Sequence, residues 1–454
     1  MVALILNLIY LLLGVLALPW VLWRRFGGGR PVAAPFERLT GTIRVAACSP
    51  TAQRIWLHGV SVGEVQLLTT LLAELERQAT ERGLTLDCVV SSSTTTGLDL
   101  ARRRFGADRV FPCPLDVSWA VNRVFNRVCP TLLVLAELEL WPTMLRTAAR
   151  RQVPVVVING RMSPGSFRGY SRIRPLARAM LQQVRLVLAR SAEDATRFEQ
   201  LGAPTVEPVG SLKFDGVRGD RQAAGVVQLR QLAGLTEQTP VLIAGSTQDP
   251  EEQLAVEAFL DQRRLHHSLR LILVPRHAER AAAIAAWLEK RLAEPDAAGI
   301  EWQLRSQLST ATGRSPPAII LVDVTGELAS WWGLATVAFV GGSLDGTRGG
   351  QNMLEPAAYG AAVCFGPFTQ NFRNEVNELL ADDAAVVVTD GESLRAFLAN
   401  CLADPPMAEA LGRRAEKVVE RNRGSTQTTV RRLLGLLASD STGGGCRIEA
   451  KSRY

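Results

Sequence analysis

The 454-residue sequence predicts an α/β protein made of two doubly wound, parallel-sheet halves. Short continuous apolar runs recur along the chain, and helix-length segments separate most of them. The alternation then occurs a second time, after a looser stretch near Asp215–Gln228. Continuous rather than alternating apolar runs mark strands buried on both faces, as in a parallel sheet covered by helices. Hydrophobic residues at 47% and charged residues at 21% supply core for two domains and exclude a disordered or disulfide-stapled chain.

The first element is Met1–Trp23, which carries no charged side chain and runs into Arg24-Arg25. Twenty-three helical residues span roughly 34 Å, enough for a tilted crossing of a ~30 Å hydrocarbon core. A cleavable signal peptide has its basic residues before a shorter apolar run. Here they follow it, so the orientation rule keeps the remainder of the chain in the cytoplasm. The segment is apolar on all sides, and the expectation is an uncleaved single-pass anchor with Trp20 and Trp23 at the interface.

Residues 24–215 form the first half, with strands expected at Arg54–Leu57, Asp87–Ser91, Thr131–Leu135, Val153–Ile158 and Leu186–Ala189. Residues 216–235 read as a linker. The second half, 236–437, has strands expected at Pro240–Ala244, Leu269–Val274, Ala318–Val322, Val337–Val340 and Ala362–Phe365. Val65–Gln78 and Asp249–Gln262 are helix-length connections, and 438–454 reads as a flexible tail. Doubly wound sheets bind ligands beyond the carboxyl ends of their strands, so two halves facing each other are expected to make one deep crevice.

The seven cysteines are scattered without a CxxC, which suits a reducing compartment and argues against structural zinc. No HExxH, DxD or Cys/His cluster is present, and with four histidines no metal and no cofactor is expected. The net charge of +7 favours anionic partners, but no nucleic-acid-binding motif accompanies it. Only four of the 51 basic residues are lysines, and Lys213 is the first of them, which points to a position that needs an ammonium.

Chemistry-bearing residues collect at the strand ends. His58-Gly59-Val60-Ser61-Val62-Gly63-Glu64 turns from a strand into a helix, where free N–H groups and a partial positive charge meet. Glu64 is the candidate general base; a first-turn carboxylate also complements a helix dipole, and the sequence leaves both roles open. The hydroxyls of Ser91 to Thr96 before Gly97 can reach a ligand or cap a helix. Glu137 and Glu139 in ELELWP need solvent or partners, for which Lys213 and Arg161 are candidates. In the second half, Arg276 after Pro275 suits a phosphate. The Thr325-Gly326-Glu327 turn offers main-chain N–H groups to a base edge, and Gly349-Gly350 is expected to open a helix that brings N–H groups to a phosphate, with Glu355 one turn later accepting from ribose hydroxyls. Neither GxGxxG nor GxxxxGK[ST] occurs, so dinucleotide and P-loop readings are weak.

Taken together, HGVSVGE (58–64), TTTG (94–97), ELELWP (137–142), GSLKFD (210–215), GST (245–247), PRH (275–277), GEL (326–328) and GGQNMLEP (349–356) resemble the 3-deoxy-D-manno-octulosonic acid (Kdo) transferases of lipopolysaccharide assembly. The resemblance extends from the apolar segment to about residue 430. It implies the two-lobed GT-B fold of Rossmann-like domains, with the acceptor on the first and CMP on the second. It also implies a CMP-Kdo donor, a lipid A precursor as acceptor, the inner membrane as location, and inversion without a metal. Glu64 then resembles the family's base, and Glu137 and Lys213 resemble residues that stabilise the transition state. Pro275, Arg276, His277, Thr325, Gly326, Glu327, Gly350, Asn352, Met353, Leu354 and Glu355 resemble CMP-binding positions. Ser61, Gly63, Thr95, Glu139, Arg161, Ser166 and Tyr170 fall on the acceptor side.

The chain departs from the family at Gln248 and Gln351, where histidine is usual, and at Thr143 and Ser211, where asparagine is usual. Glutamine supplies a hydrogen bond but cannot titrate. Two alternatives are a GT-B transferase for another nucleotide sugar and a catalytically silent membrane-tethered glycolipid binder. Donor screening separates the first, and the joint presence of Glu64, Lys213 and Arg276 speaks against the second.

Overall fold

The computed structural model describes residues 33–47, 49, 51–309 and 316–440, together with Asn7 and Tyr10. The rest of the expected anchor and the tail beyond Asp440 lie outside the described residues. Among the described residues no helix is long and apolar enough to cross a membrane. Two compact units result, one of residues 1–216 with 423–454 and one of residues 217–422.

The first unit holds seven parallel strands: β1 (Gln53–His58), β2 (Leu86–Ser92), β3 (Val110–Pro112), β4 (Leu132–Ala136), β5 (Val155–Gly160), β6 (Leu186–Ala189) and β7 (Val206–Pro208). Their order is β3-β2-β1-β4-β5-β6-β7. The order reverses direction between β1 and β4, which makes the carboxyl ends of these two strands the natural ligand site. Residues alternate between the sheet's faces. Ile55 and Leu57 of β1 pack with Leu68, Leu71 and Leu75 of the helix Val62–Glu81. Trp56 faces the other way onto Phe111 and Phe125, ring centroids 5.5 and 5.2 Å away.

The helix Ser425–Asp440 belongs to this first unit, although the sequence reading counts residues through 437 with the second half. Its Val430, Leu433, Leu434 and Leu437 complete the core beneath β1 and the helix Val62–Glu81. The Asp215 carboxylate accepts from the N–H groups of Gly424 (2.7 Å) and Thr426 (2.6 Å) at the start of that helix.

The second unit holds β8 (Val241–Thr247), β9 (Arg270–Pro275), β10 (Trp302–Leu304), β11 (Ile319–Leu321), β12 (Val337–Val340), β13 (Ala362–Phe365) and β14 (Val386–Val387). Their order is β10-β11-β9-β8-β12-β13-β14, again all parallel, with the reversal between β8 and β12. The stretch read as a linker is packed here. Val226 and Leu229 of the helix Ala224–Leu232 are buried. Arg221 donates to the carbonyls of Tyr359, Gly333 and Ala335, each at 2.9 Å, so the segment is riveted to the unit.

Candidate active site

In the first unit, the loop after β1 places Glu64 in the first turn of the helix Val62–Glu81, with Ser61 as its N-cap. The carboxylate accepts from Val60 N–H (2.8 Å) and from the Ser61 hydroxyl (2.8 Å), so it caps the helix as well as facing the switch point. Glu64 is only 9% exposed. Burial raises its pKa, the Val60 N–H opposes this, and the charge of Glu137 adds to the rise. Glu64 is thus a helix cap whose carboxylate holds a proton more readily than an exposed glutamate does.

The other switch-point strand supplies two more carboxylates. Glu137, directly after β4, holds a left-handed backbone (φ 59°), unusual for a side chain of this size, and its N–H donates to the Ile158 carbonyl of β5 at 2.9 Å. Glu139 accepts from Trp141 Nε1 at 3.0 Å. Burial and then the Glu64 charge push the Glu139 carboxyl up to about 7. Tyr170 in the helix Pro164–Arg172 is raised by burial and by the charge of Glu139, which brings it to the same cluster. Glu64, Glu137 and Glu139, which follow the carboxyl ends of β1 and β4, and Tyr170 are therefore close enough for the charge on one to shift the titration of another.

Lys213 sits half-buried in the single turn Leu212–Phe214. The turn is held from two sides. Asn159, at the end of β5, accepts from Leu212 N–H at 3.2 Å, and Asp215 grips the start of the helix Ser425–Asp440. Glu137 and the Lys213 turn are thus tied to adjacent residues of β5, Ile158 and Asn159. Of the remaining acceptor-side candidates, Gly63 and Thr95 are exposed and Arg161 follows β5 directly. Ser166 shares its N–H and hydroxyl with Ser163 at a helix start.

The hydroxyl loop is mostly scaffold. Ser91 Oγ lies 2.8 Å from Trp56 Nε1 and 2.9 Å from His58 Nδ1. Ser92 and Thr94 both donate to the Val60 carbonyl, at 2.9 and 2.8 Å, and so fix the Glu64 loop. A methyl group on Gly97 would stand 2.4 Å from Ser92 Oγ, which explains the glycine. His58 is a core residue: burial lowers its pKa to about 4. Sequence reasoning passed over Arg38, whose guanidinium donates to the carbonyls of Cys113 (2.9 Å) and Ser93 (3.3 Å) and straps the helix Pro35–Thr40 across the ends of β2 and β3. It also passed over Asn159, for which an asparagine before a glycine at a strand end was the available signal.

In the second unit, Pro275 ends β9 and leaves Arg276 and His277 exposed, with Arg276 N–H bonded to the Thr247 carbonyl at 2.9 Å. Thr325 and Gly326 form an exposed turn, Gly326 at φ 92°. The Glu327 carboxylate is engaged by Arg305 at 2.8 and 2.7 Å, which leaves the main chain of this turn for a ligand. Gly350, at φ 79°, donates to the Gly342 carbonyl at 2.8 Å. Asn352 donates to Glu355 Oε1 at 3.0 Å; burial raises the Glu355 pKa, while Asn352 and the Arg276 charge oppose this. Met353 and Leu354 point into the core, so only their backbone can serve a ligand. Contrary to the expectation from the sequence, the glycine pair does not open a helix: Gly349 and Gly350 hold left-handed backbone (φ 80° and 79°), and the short helix Leu354–Ala358 starts only after Met353. An unforeseen anchor is Glu251, buried and accepting from the N–H groups of Gln248 (2.9 Å), Gly342 (2.7 Å), Ser343 (3.0 Å) and Leu344 (3.1 Å).

Residues 34–216 match the family model of 3-deoxy-D-manno-octulosonic-acid transferase (kdotransferase). The 3-deoxy-D-manno-octulosonic acid transferase of Haemophilus influenzae is 31% identical, over 86% of this chain and 88% of that protein. The enzyme of the same name from Bordetella pertussis is 32% identical, over 92% of this chain and 96% of that protein. This chain belongs to the Kdo transferase family. As a family member it is a glycosyltransferase. Among solved structures, UDP-GlcNAc 2-epimerase from Neisseria meningitidis bound to UDP-GlcNAc aligns with a TM-score of 0.56 at 12% identity, covering 84% of this chain and 100% of that one. This likeness concerns the fold, which hosts other nucleotide-sugar chemistry as well.

Proposed function

We propose that this Kdo transferase takes Kdo from CMP-Kdo and passes it to a lipid A precursor, with inversion at the anomeric carbon and without metal or cofactor. An acceptor hydroxyl attacks the anomeric carbon, the bond from that carbon to the CMP phosphate breaks, and CMP leaves with the electron pair. The hydroxyl's proton goes to Glu64. Glu137 and Lys213 stabilise charge as the transition state forms, and the ammonium explains a lysine in an arginine-rich chain. Pro275 to His277, the 325–327 turn, Gly350 and Asn352 to Glu355 hold CMP. Ser61, Gly63, Thr95, Glu139, Arg161, Ser166 and Tyr170 receive the acceptor.

The single observation that carries this reading is the carboxylate cluster at the β1/β4 switch point, in which burial raises the Glu64 pKa. A base must hold its proton better than an exposed carboxylate to take one from an alcohol, and burial supplies that shift.

The inner membrane is the proposed location, with Met1–Trp23 as anchor. Support comes from the first unit's surface. Phe36 is 70% exposed, Leu39 42% and Trp119 41%, the first two on the helix Pro35–Thr40 and the third bonded through its indole N–H to the Leu39 carbonyl. Residues 161–181 contain five arginines and no acidic residue, with Ile173 and Leu176 exposed among them. Arginine with exposed aliphatic and aromatic groups suits a surface of anionic glycolipid.

The test is Glu64→Gln. Kdo transfer is expected to fall about 10²–10⁴-fold, while CMP still binds with wild-type affinity. Turnover near the wild-type rate would remove Glu64 from the role of base.

A further inference from the structure

The second unit carries two glutamines that the donor assignment above does not use. Gln248 follows β8 immediately, and Gly341-Gly342 follow β12, so both stand at the reversal of strand order. The Gly350 N–H bond to the Gly342 carbonyl returns the chain to this point and delivers Gln351 over Gly342. A methyl group built on Gly342 would lie 3.3 Å from Gln351 Nε2 and 3.4 Å from Gln248 Nε2. Two carboxamides from separate loops therefore meet over one glycine. Neither has a hydrogen-bond partner among the described residues, although Gln248 is only 7% exposed. An amide that spends none of its hydrogen bonds on the surrounding protein is free to spend them on a ligand.

The surroundings select the ligand's chemistry. A cavity of about 280 Å³ opens beside Gln248 and Gly342, and its walls include Asp249, Glu251, Asp345 and Asp390 but no lysine or arginine. The N–H groups of the glycine loop that would attract a phosphate are already occupied by the Glu251 carboxylate. The cavity lining thus offers an anion no arginine or lysine, and carboxylates stand close by. A hydroxyl group, by contrast, both donates and accepts, and each carboxamide offers both functions.

We propose that Gln248 and Gln351 form a two-amide subsite for the hydroxyl groups of the transferred sugar, distinct from the residues that hold the nucleotide. This rests on the placement of the donor in the second unit. It makes the pair a determinant of which sugar is transferred, since a site built to hydrogen-bond hydroxyls discriminates against donors that lack them.

The experiment compares full-length wild type with Gln248→Ala, Gln351→Ala and the double variant, and with Gln351→Glu, which keeps the shape but replaces the amide donor by an acceptor. CMP-Kdo turnover and CMP binding by calorimetry are measured on each. Each single alanine is expected to lower kcat/KM for CMP-Kdo by roughly 10- to 100-fold, with a double effect smaller than the product of the two and Gln351→Glu resembling Gln351→Ala. CMP, which lacks the sugar, keeps its wild-type affinity throughout. An equal loss of CMP affinity would assign the pair to the nucleotide and overturn the proposal, as would unchanged kcat/KM. Wild-type protein that binds no CMP would overturn the donor assignment instead. Melting temperatures within a degree or two of wild type identify variants whose kinetics report on the site.

Discussion

At Glu139 burial, then the charge of Glu64, and to a lesser degree that of Glu137, push the carboxyl up to about 7. An unfolded glutamate loses its proton near 4.5. Between these values the folded chain binds the extra proton, so this group's contribution to stability falls as pH rises through the window. Glu139→Gln keeps an acceptor for Trp141 and has no charge to desolvate. It is expected to be more stable than wild type at pH 8 by roughly 1–2 kcal/mol, after allowance for partial exposure, and equal to it at pH 4. Chemical denaturation at the two pH values checks this; a difference of the same size at both would contradict it. At this scale the sequence showed which residues are chemically suited to a site, because the strand-end motifs carry them. It did not show how their hydrogen bonds are spent. Ser92 and Thr94 face a carbonyl rather than a ligand, and Glu251 fills a nest of N–H groups, because partners distant in sequence decide these bonds.

Elements were legible where they are buried on both sides. All ten expected strands form, and the four strands passed over, β3, β7, β10 and β14, are the outer strands of the two sheets. Edge strands here are two or three residues long and lack the continuous apolar run that marks an interior strand. The helix Ser425–Asp440 is a different case: its apolar stripe shows that it packs, but not on which unit. Asp215 decides that by capping it from the Lys213 turn. Replacing Asp215 by alanine removes two charge-assisted bonds and is expected to cost about 2–3 kcal/mol of stability. It also frees the turn that carries Lys213, so kcat is expected to fall while CMP affinity holds. Asp215→Asn, which keeps one acceptor oxygen, is expected to recover part of both. Urea denaturation alongside turnover checks the pair, and wild-type stability in Asp215→Ala would show that the cap does not hold the helix.

At the scale of the whole molecule, two sheets of the same winding carry different chemistry at equivalent places. The first sheet's switch point gathers carboxylates suited to taking a proton, and the second's gathers exposed turns, an arginine and amides suited to holding a nucleotide sugar. The duplication was legible because the strand–helix alternation repeats. The return of the last helix to the first unit was not, since it depends on a cap between residues 215 and 424. The proposed division of labour between units predicts that donor cleavage waits for acceptor, because the base proposed here acts on the acceptor's hydroxyl and not on the donor. The most direct measurement is CMP release from CMP-Kdo by the full-length protein in EDTA, with and without a tetraacylated lipid A precursor. Release that depends on the acceptor and persists in EDTA is the predicted result. Intact donor after incubation of folded protein with both substrates, or release at the same rate without acceptor, would contradict the account.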